Sequence, residues 1–72
     1  MTALHESRNI QLSKKETRIL QLIAEGKTSP QIADLMCLSL NTIKWYRKKL
    51  KSKLDATNPA QMIRKAIELG LL

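Results

Sequence analysis

The chain has 72 residues, with 13 Lys and Arg against six Asp and Glu and a formal net charge of +7, which is the size and balance of one small basic domain. A domain this short buries only about 60% of the surface its unfolded chain exposes, so its core has no room for an enclosed catalytic cavity. One cysteine, Cys37, and one histidine, His5, exclude an internal disulfide and a structural zinc site, and two glycines exclude a glycine-rich phosphate cradle. The expectation is a non-enzyme without a cofactor. No apolar run approaches the roughly 20 residues of a membrane span and the first residues lack the apolar stretch of a signal peptide, so no membrane partner and a cytoplasmic location are expected.

Residues 1–9 are polar and without periodicity and read as an arm or linker remnant, leaving residues 10–72 as the folded domain. Ser13 with Glu16 three residues on forms a capping-box pattern, and Gly26 supplies a left-handed stop, which predicts a first helix near 14–25. Glu16 is also placed to form a salt bridge, but the capping box accounts for it. Thr28 and Gln31 repeat the spacing, with Pro30 in the first turn where no amide partner is needed, predicting a second helix at 29–36. Ser39 opens a third at 40–54, with Leu38 and Ile43 at the spacing of a hydrophobic staple. Asn58 and Pro59 start a fourth at 59–69 that Gly70 ends. No strand pattern competes, and the fold class is all-α with four helices.

The apolar stripes name the packing faces: Ile19, Leu20, Leu22 and Ile23 on the first helix, Ile32, Ala33, Leu35 and Met36 on the second, and Ile43, Tyr46, Leu50 and Leu54 on the third. The fourth carries Met62, Ile63, Ala66, Ile67 and Leu69, more than one packing face needs. Cys37 reads as a small buried hydrophobe.

No acidic residue stands between Leu35 and Leu54, while Lys44, Arg47, Lys48, Lys49, Lys51 and Lys53 all fall within the third helix. Helical phase puts Asn41, Lys44, Trp45, Lys48 and Ser52 on the side opposite the apolar stripe. By spacing alone, a solvated charge run and a nucleic-acid surface explain this equally well. The preceding helix favours the second: small Ala33 allows a close helix crossing, a tight connection follows at Cys37 and Leu38, and Ile43 returns to the core. That is helix-turn-helix logic, in which the second helix of the pair enters the major groove. Trp45, next to Tyr46, is either an exposed contact or a core ring, and its phase favours exposure.

The strings Leu12-Ser13-Lys14-Lys15-Glu16, Ile23-Ala24-Glu25-Gly26-Lys27-Thr28, Gln31-Ile32-Ala33 and Leu38-Ser39-Leu40-Asn41-Thr42-Ile43-Lys44 resemble the LuxR-type DNA-binding domain. The likeness continues through Arg47, Lys53-Leu54 and Gly70-Leu71. It implies a four-helix output module of a bacterial transcription regulator, most often the C-terminal part of a response regulator behind a receiver or ligand-sensing domain that is absent from these 72 residues. By the resemblance, Lys44, Trp45 and Lys48 stand at base-contacting positions, and Thr28, Asn41, Thr42, Arg47 and Lys51 at or beside phosphate-contacting ones. The sequence departs from the family pattern at Trp45-Tyr46, where a small or polar residue and then His are usual.

Resemblance and helix phase together give Asn41, Lys44, Trp45 and Lys48 as expected base contacts. Lys27, Thr28, Ser39, Thr42, Arg47 and Lys51 are the expected phosphate contacts. The resemblance also implies a weak homodimer on double-stranded DNA through the fourth helix, at Gln61, Lys65, Glu68 and Leu69, although that helix has the alternative role of only closing the core. Rival readings are the helix-turn-helix of a sigma factor, a protein-interaction module that no longer binds DNA, and a cationic membrane peptide, which four capped helices disfavour.

Overall fold

The computed structural model describes residues 10–72; the expected arm at 1–9 lies outside the described residues. It contains α1 (Lys14–Ala24), α2 (Ser29–Met36), α3 (Leu40–Leu54) and α4 (Pro59–Glu68), and no strand among the described residues. Glu25 and Leu69, expected as the last residues of their helices, are instead C-cap residues.

Each helix begins where a polar side chain satisfies an amide that the helix itself leaves unpaired. The Glu16 amide donates to Ser13 Oγ at 3.1 Å and the Ser13 amide donates to Glu16 Oε1 at 2.9 Å, which is a complete capping box. Thr28 and Gln31 form a second one, at 3.3 and 2.8 Å. Ser39 accepts from the Thr42 amide, and Asn58 from the Gln61 amide. At the other end of α1, Gly26 takes a φ of 87°, a backbone conformation that costs a side-chain-bearing residue energy and glycine almost none.

The core is helix on helix. Ile19, Leu20, Ile32, Ile43, Leu50 and Met62 are fully buried, with Leu54 and Ala66 beside them. Each large aliphatic side chain contributes about 1.5–3 kcal/mol by leaving water. Helix α3 packs on α1, α2 and α4, so the body of the domain holds it along one side. Ala33, buried on α2, is the small residue at the α2–α3 pair.

Two expected core positions are exposed. Leu35 is 56% accessible. The buried arc of the eight-residue α2 runs through Ile32, Ala33 and, in part, Met36, and at 100° per residue Leu35 falls about 100° from its centre. Cys37 is exposed rather than buried, because it is the C-cap residue of α2 with a left-handed φ of 56°, and that turn carries its side chain away from the core. On α4, Met62 and Ala66 are buried and Ile63 is half-buried, while Ile67 and Leu69 remain in solvent, so the excess apolar width read from the sequence is present at the surface.

Candidate nucleic-acid interface

Helix α3 is 15 residues and about 22 Å long, and its two sides differ in kind. Ile43, Leu50 and Leu54 are buried on one, with Tyr46 half-buried against the core. Asn41, Lys44, Trp45, Lys48 and Ser52 are all exposed on the other. Buried isoleucine and leucine fix the rotation of the helix about its axis, and that rotation alone presents the polar set outward.

The six cations of α3 do not form one population. Lys53 Nζ lies 2.8 Å from Glu16 Oε1 and Lys49 Nζ 3.7 Å from Glu16 Oε2, so these two point to the first turn of α1. Lys44, Arg47, Lys48 and Lys51 form no ion pair among the described residues. These four line one open depression of about 340 Å³, together with Ser29 and Pro59, the first residues of α2 and α4. The positive ends of two helix dipoles therefore flank four unpaired cations, an arrangement suited to polyanions.

Glu16 is 1% exposed. Burial alone would raise its pKa, but the hydrogen bond from Lys53, that from the Ser13 amide and the charges of Lys53 and Lys49 outweigh burial and hold the carboxyl below its ordinary range. It stays ionised at neutral pH. Oε2 has no hydrogen-bond partner and is met only by the Lys49 ammonium.

Beside the basic depression, Trp45, Lys48, Lys49 and Ser52 line a second one of about 310 Å³. Lys49 Nζ stands 4.9 Å from the centre of the Trp45 ring, and the Tyr46 ring meets it edge-on at 5.0 Å and 74°.

The remaining expected contacts are more scattered. Lys27 and Thr28 are exposed at the start of α2, with Lys27 on a separate depression formed with Gln31, Asp34 and Leu35. Ser39 is exposed and Thr42 half-buried, and their hydroxyls share a hydrogen bond of 2.8 Å, which leaves one hydroxyl proton of the two for an outside acceptor. On α4, Glu68 and Leu69 are exposed and line a depression with Ile10, Leu54 and Lys65. Gln61 and Lys65 are half-buried and engaged within the chain: Gln61 Oε1 accepts from the Thr57 amide and hydroxyl, and Lys65 donates to the Asp55 carbonyl at 2.6 Å. The sequence reading missed Ser29 and Pro59, which only the packing brings to α3. It also missed the role of Lys49, although the Trp45–Lys49 spacing of four was a visible signal.

Among the described residues no helix is long and apolar enough to cross a membrane, and no group of three or more His, Cys, Asp and Glu could hold a metal ion.

Residues 10–66 match the sequence profile of the bacterial regulatory proteins of the luxR family (GerE). The response regulatory protein YgeK of Escherichia coli is 39% identical over 61 residues, covering 85% of this chain and 42% of the relative. The regulatory protein SdiA of the same organism is 40% identical over 60 residues, covering 83% of this chain and 25% of the relative. Among solved structures, that of the Vibrio cholerae LuxR-type receptor VqmA superposes with a TM-score of 0.82 at 33% identity, covering 88% of this chain and 28% of that one. The chain thus spans between a quarter and about two-fifths of the length of these proteins. With a profile match over most of its length and the four-helix fold to go with it, this chain belongs to the luxR family of bacterial regulatory proteins, a family of DNA-binding transcription regulators.

Proposed function

We propose that this domain binds double-stranded DNA with α3 in the major groove, as the output module of a bacterial transcription regulator. The observation that carries the reading is the division of α3: a buried aliphatic side, and an opposite side bearing Asn41, Lys44, Trp45 and Lys48, with Lys44, Lys48 and the neighbouring Arg47 and Lys51 without an acidic partner among the described residues. In this reading Asn41, Lys44, Trp45 and Lys48 meet base edges, and Lys27, Thr28, Ser39, Thr42, Arg47 and Lys51 meet phosphates. The mechanism is occupancy of a site rather than chemistry. Bound beside a promoter, the domain acts by placing an attached regulatory part near the polymerase.

The greater length of the relatives supports such a missing part. YgeK, named a response regulatory protein, favours a phosphorylatable receiver in that place. VqmA is described as a dimer, in the absence of its target DNA, which supports both DNA binding and pairing of two copies, for which Glu68 and Leu69 at the end of α4 offer the open surface.

Titration of labelled duplex DNA over a range of salt tests the reading. Each neutralised phosphate adds about 0.9 to the log–log slope, so the three cations assigned to phosphates, Lys27, Arg47 and Lys51, give an expected slope of about −2.7 or steeper. A slope near zero overturns it.

A further inference from the structure

Trp45 is 55% exposed, on the same side of α3 as Lys44 and Lys48, although it is the only tryptophan of the chain and a small domain gains much by burying one. Its ring is nevertheless held on two sides. Tyr46, half-buried against the core, meets it edge-on, and the Lys49 ammonium stands over it. Lys49 is itself anchored, because it faces the Oε2 of Glu16, a buried carboxylate whose other oxygen is tied to Ser13 and Lys53. A line of contacts thus runs from the first turn of α1 through Lys49 to the exposed indole.

We infer that Lys49 and Tyr46 hold the Trp45 indole as a fixed apolar reader of the thymine 5-methyl group in the major groove, an inference that rests on the DNA-binding reading above. The chemistry selects this group. An indole offers one N–H donor, no acceptor and otherwise apolar surface, so it cannot make the paired hydrogen bonds that recognise guanine or adenine. The thymine methyl is the one apolar group that base edges present in that groove. Lys44 and Lys48, one turn apart on the same exposed side of α3, suit the acceptors of guanine instead. Lys49 acts through Trp45 and is a positioning residue.

The test uses a duplex recovered by selection from a random-sequence pool, prepared once with thymine and once with deoxyuracil throughout. Wild-type protein binds the deoxyuracil form more weakly, by about fourfold for each methyl buried. Trp45→Ala binds both forms equally. Lys49→Met loses most of the difference and shifts the emission of Trp45, while Lys49→Arg, which keeps a cation between Glu16 and the ring, retains the difference. Lys53 still holds Glu16 in both Lys49 variants, and a circular dichroism spectrum verifies their fold. Equal wild-type affinity for the two duplexes, or a selected site without thymine, overturns the inference and leaves DNA binding standing. Undiminished discrimination and unchanged emission in Lys49→Met remove the role of Lys49. Failure to recover any duplex overturns the DNA-binding reading and this inference with it.

Discussion

Lys53 Nζ lies 2.8 Å from Glu16 Oε1 and joins the last turn of α3 to the first turn of α1 across 37 residues of sequence. The same ammonium donates to the Gln11 carbonyl at 3.1 Å, so one lysine fastens both the helix start and the chain that leads into it. Helix α3 is thereby fixed to α1 at its C-terminal end by a lysine that stands apart from Asn41, Lys44, Trp45 and Lys48. Cations of similar appearance in the sequence are placed differently: Lys49 and Lys53 face Glu16, while Lys44, Arg47, Lys48 and Lys51 have no acidic partner among the described residues.

Glu16→Ala is expected to lower stability by about 2 kcal/mol, through loss of the reciprocal cap and of charge-assisted hydrogen bonds. Its folded-state carboxyl titrates below the unfolded one, so its contribution is complete above the unfolded range and disappears as the pH falls through the folded range. Glu16→Gln keeps the shape of the cap and removes the titration. Urea midpoints followed from neutral pH into the acid range should therefore fall more steeply for wild type than for Glu16→Gln. Parallel profiles would assign the acid sensitivity to other carboxylates.

Cys37 adopts a φ of 56° in the turn between α2 and α3, a conformation that costs a residue with a side chain about 1 kcal/mol. Cys37→Gly removes that cost and, after the greater freedom of glycine in the unfolded chain is deducted, should raise stability by about 0.5 kcal/mol. Cys37→Val, branched at Cβ, should lower it by about 1 kcal/mol or more. Urea denaturation of the three proteins provides the order, and a valine variant as stable as wild type would refute the argument. The side chain is exposed, so DNA affinity should not follow these changes.

Much of the fold was legible because its punctuation is local. Ser13, Thr28, Ser39 and Asn58 each act on an amide three residues ahead, and a reader of the sequence needs no knowledge of the remaining chain to place them. The rotation of α3 was legible for the same reason, since Ile43, Leu50 and Leu54 recur at helical spacing. What escaped depends on how helices cross. The division of Lys49 and Lys53 from their neighbours requires α1 to lie against α3, and Leu35 looked like core because a helix of two turns leaves its buried arc poorly defined. For Glu16 the sequence favours a cap over a salt bridge; the residue does both, the second role being set by a partner 37 residues away that the sequence does not identify.

Lys51 and the pair Lys44 and Lys48 should separate when tested on cognate and random duplexes. Lys51 is half-buried along the depression, while Lys44 and Lys48 are exposed beside Trp45. Lys51→Ala is expected to weaken binding to all sequences alike and to reduce the salt slope by about 1. Lys44→Ala or Lys48→Ala should in addition lose about 1–3 kcal/mol of discrimination. Equal losses on both duplexes for all three variants would contradict the proposed division between base and phosphate contacts.

Pairing on DNA is expected from size, because a single module of this kind buries only about 600–1,000 Å² on a duplex, too little to select a site from a genome. Two copies on paired half-sites are expected to bind cooperatively, with little association in free solution. The variant that tests this has to spare the fold. Reversing the charge of Lys65 would break its hydrogen bond to the Asp55 carbonyl at the end of α3, so a loss of cooperativity there would have two explanations. Leu69 is free of that difficulty: its side chain is 47% exposed, and it lies with Glu68 on the open edge of α4. Leu69→Asp should abolish cooperativity on a two-site probe and leave half-site affinity within about twofold, since Leu69 is exposed and is not among the residues proposed to meet DNA. Sedimentation of labelled two-site DNA with the variant measures both quantities together. Unchanged cooperativity in a folded Leu69→Asp protein would mean that α4 serves only to close the core.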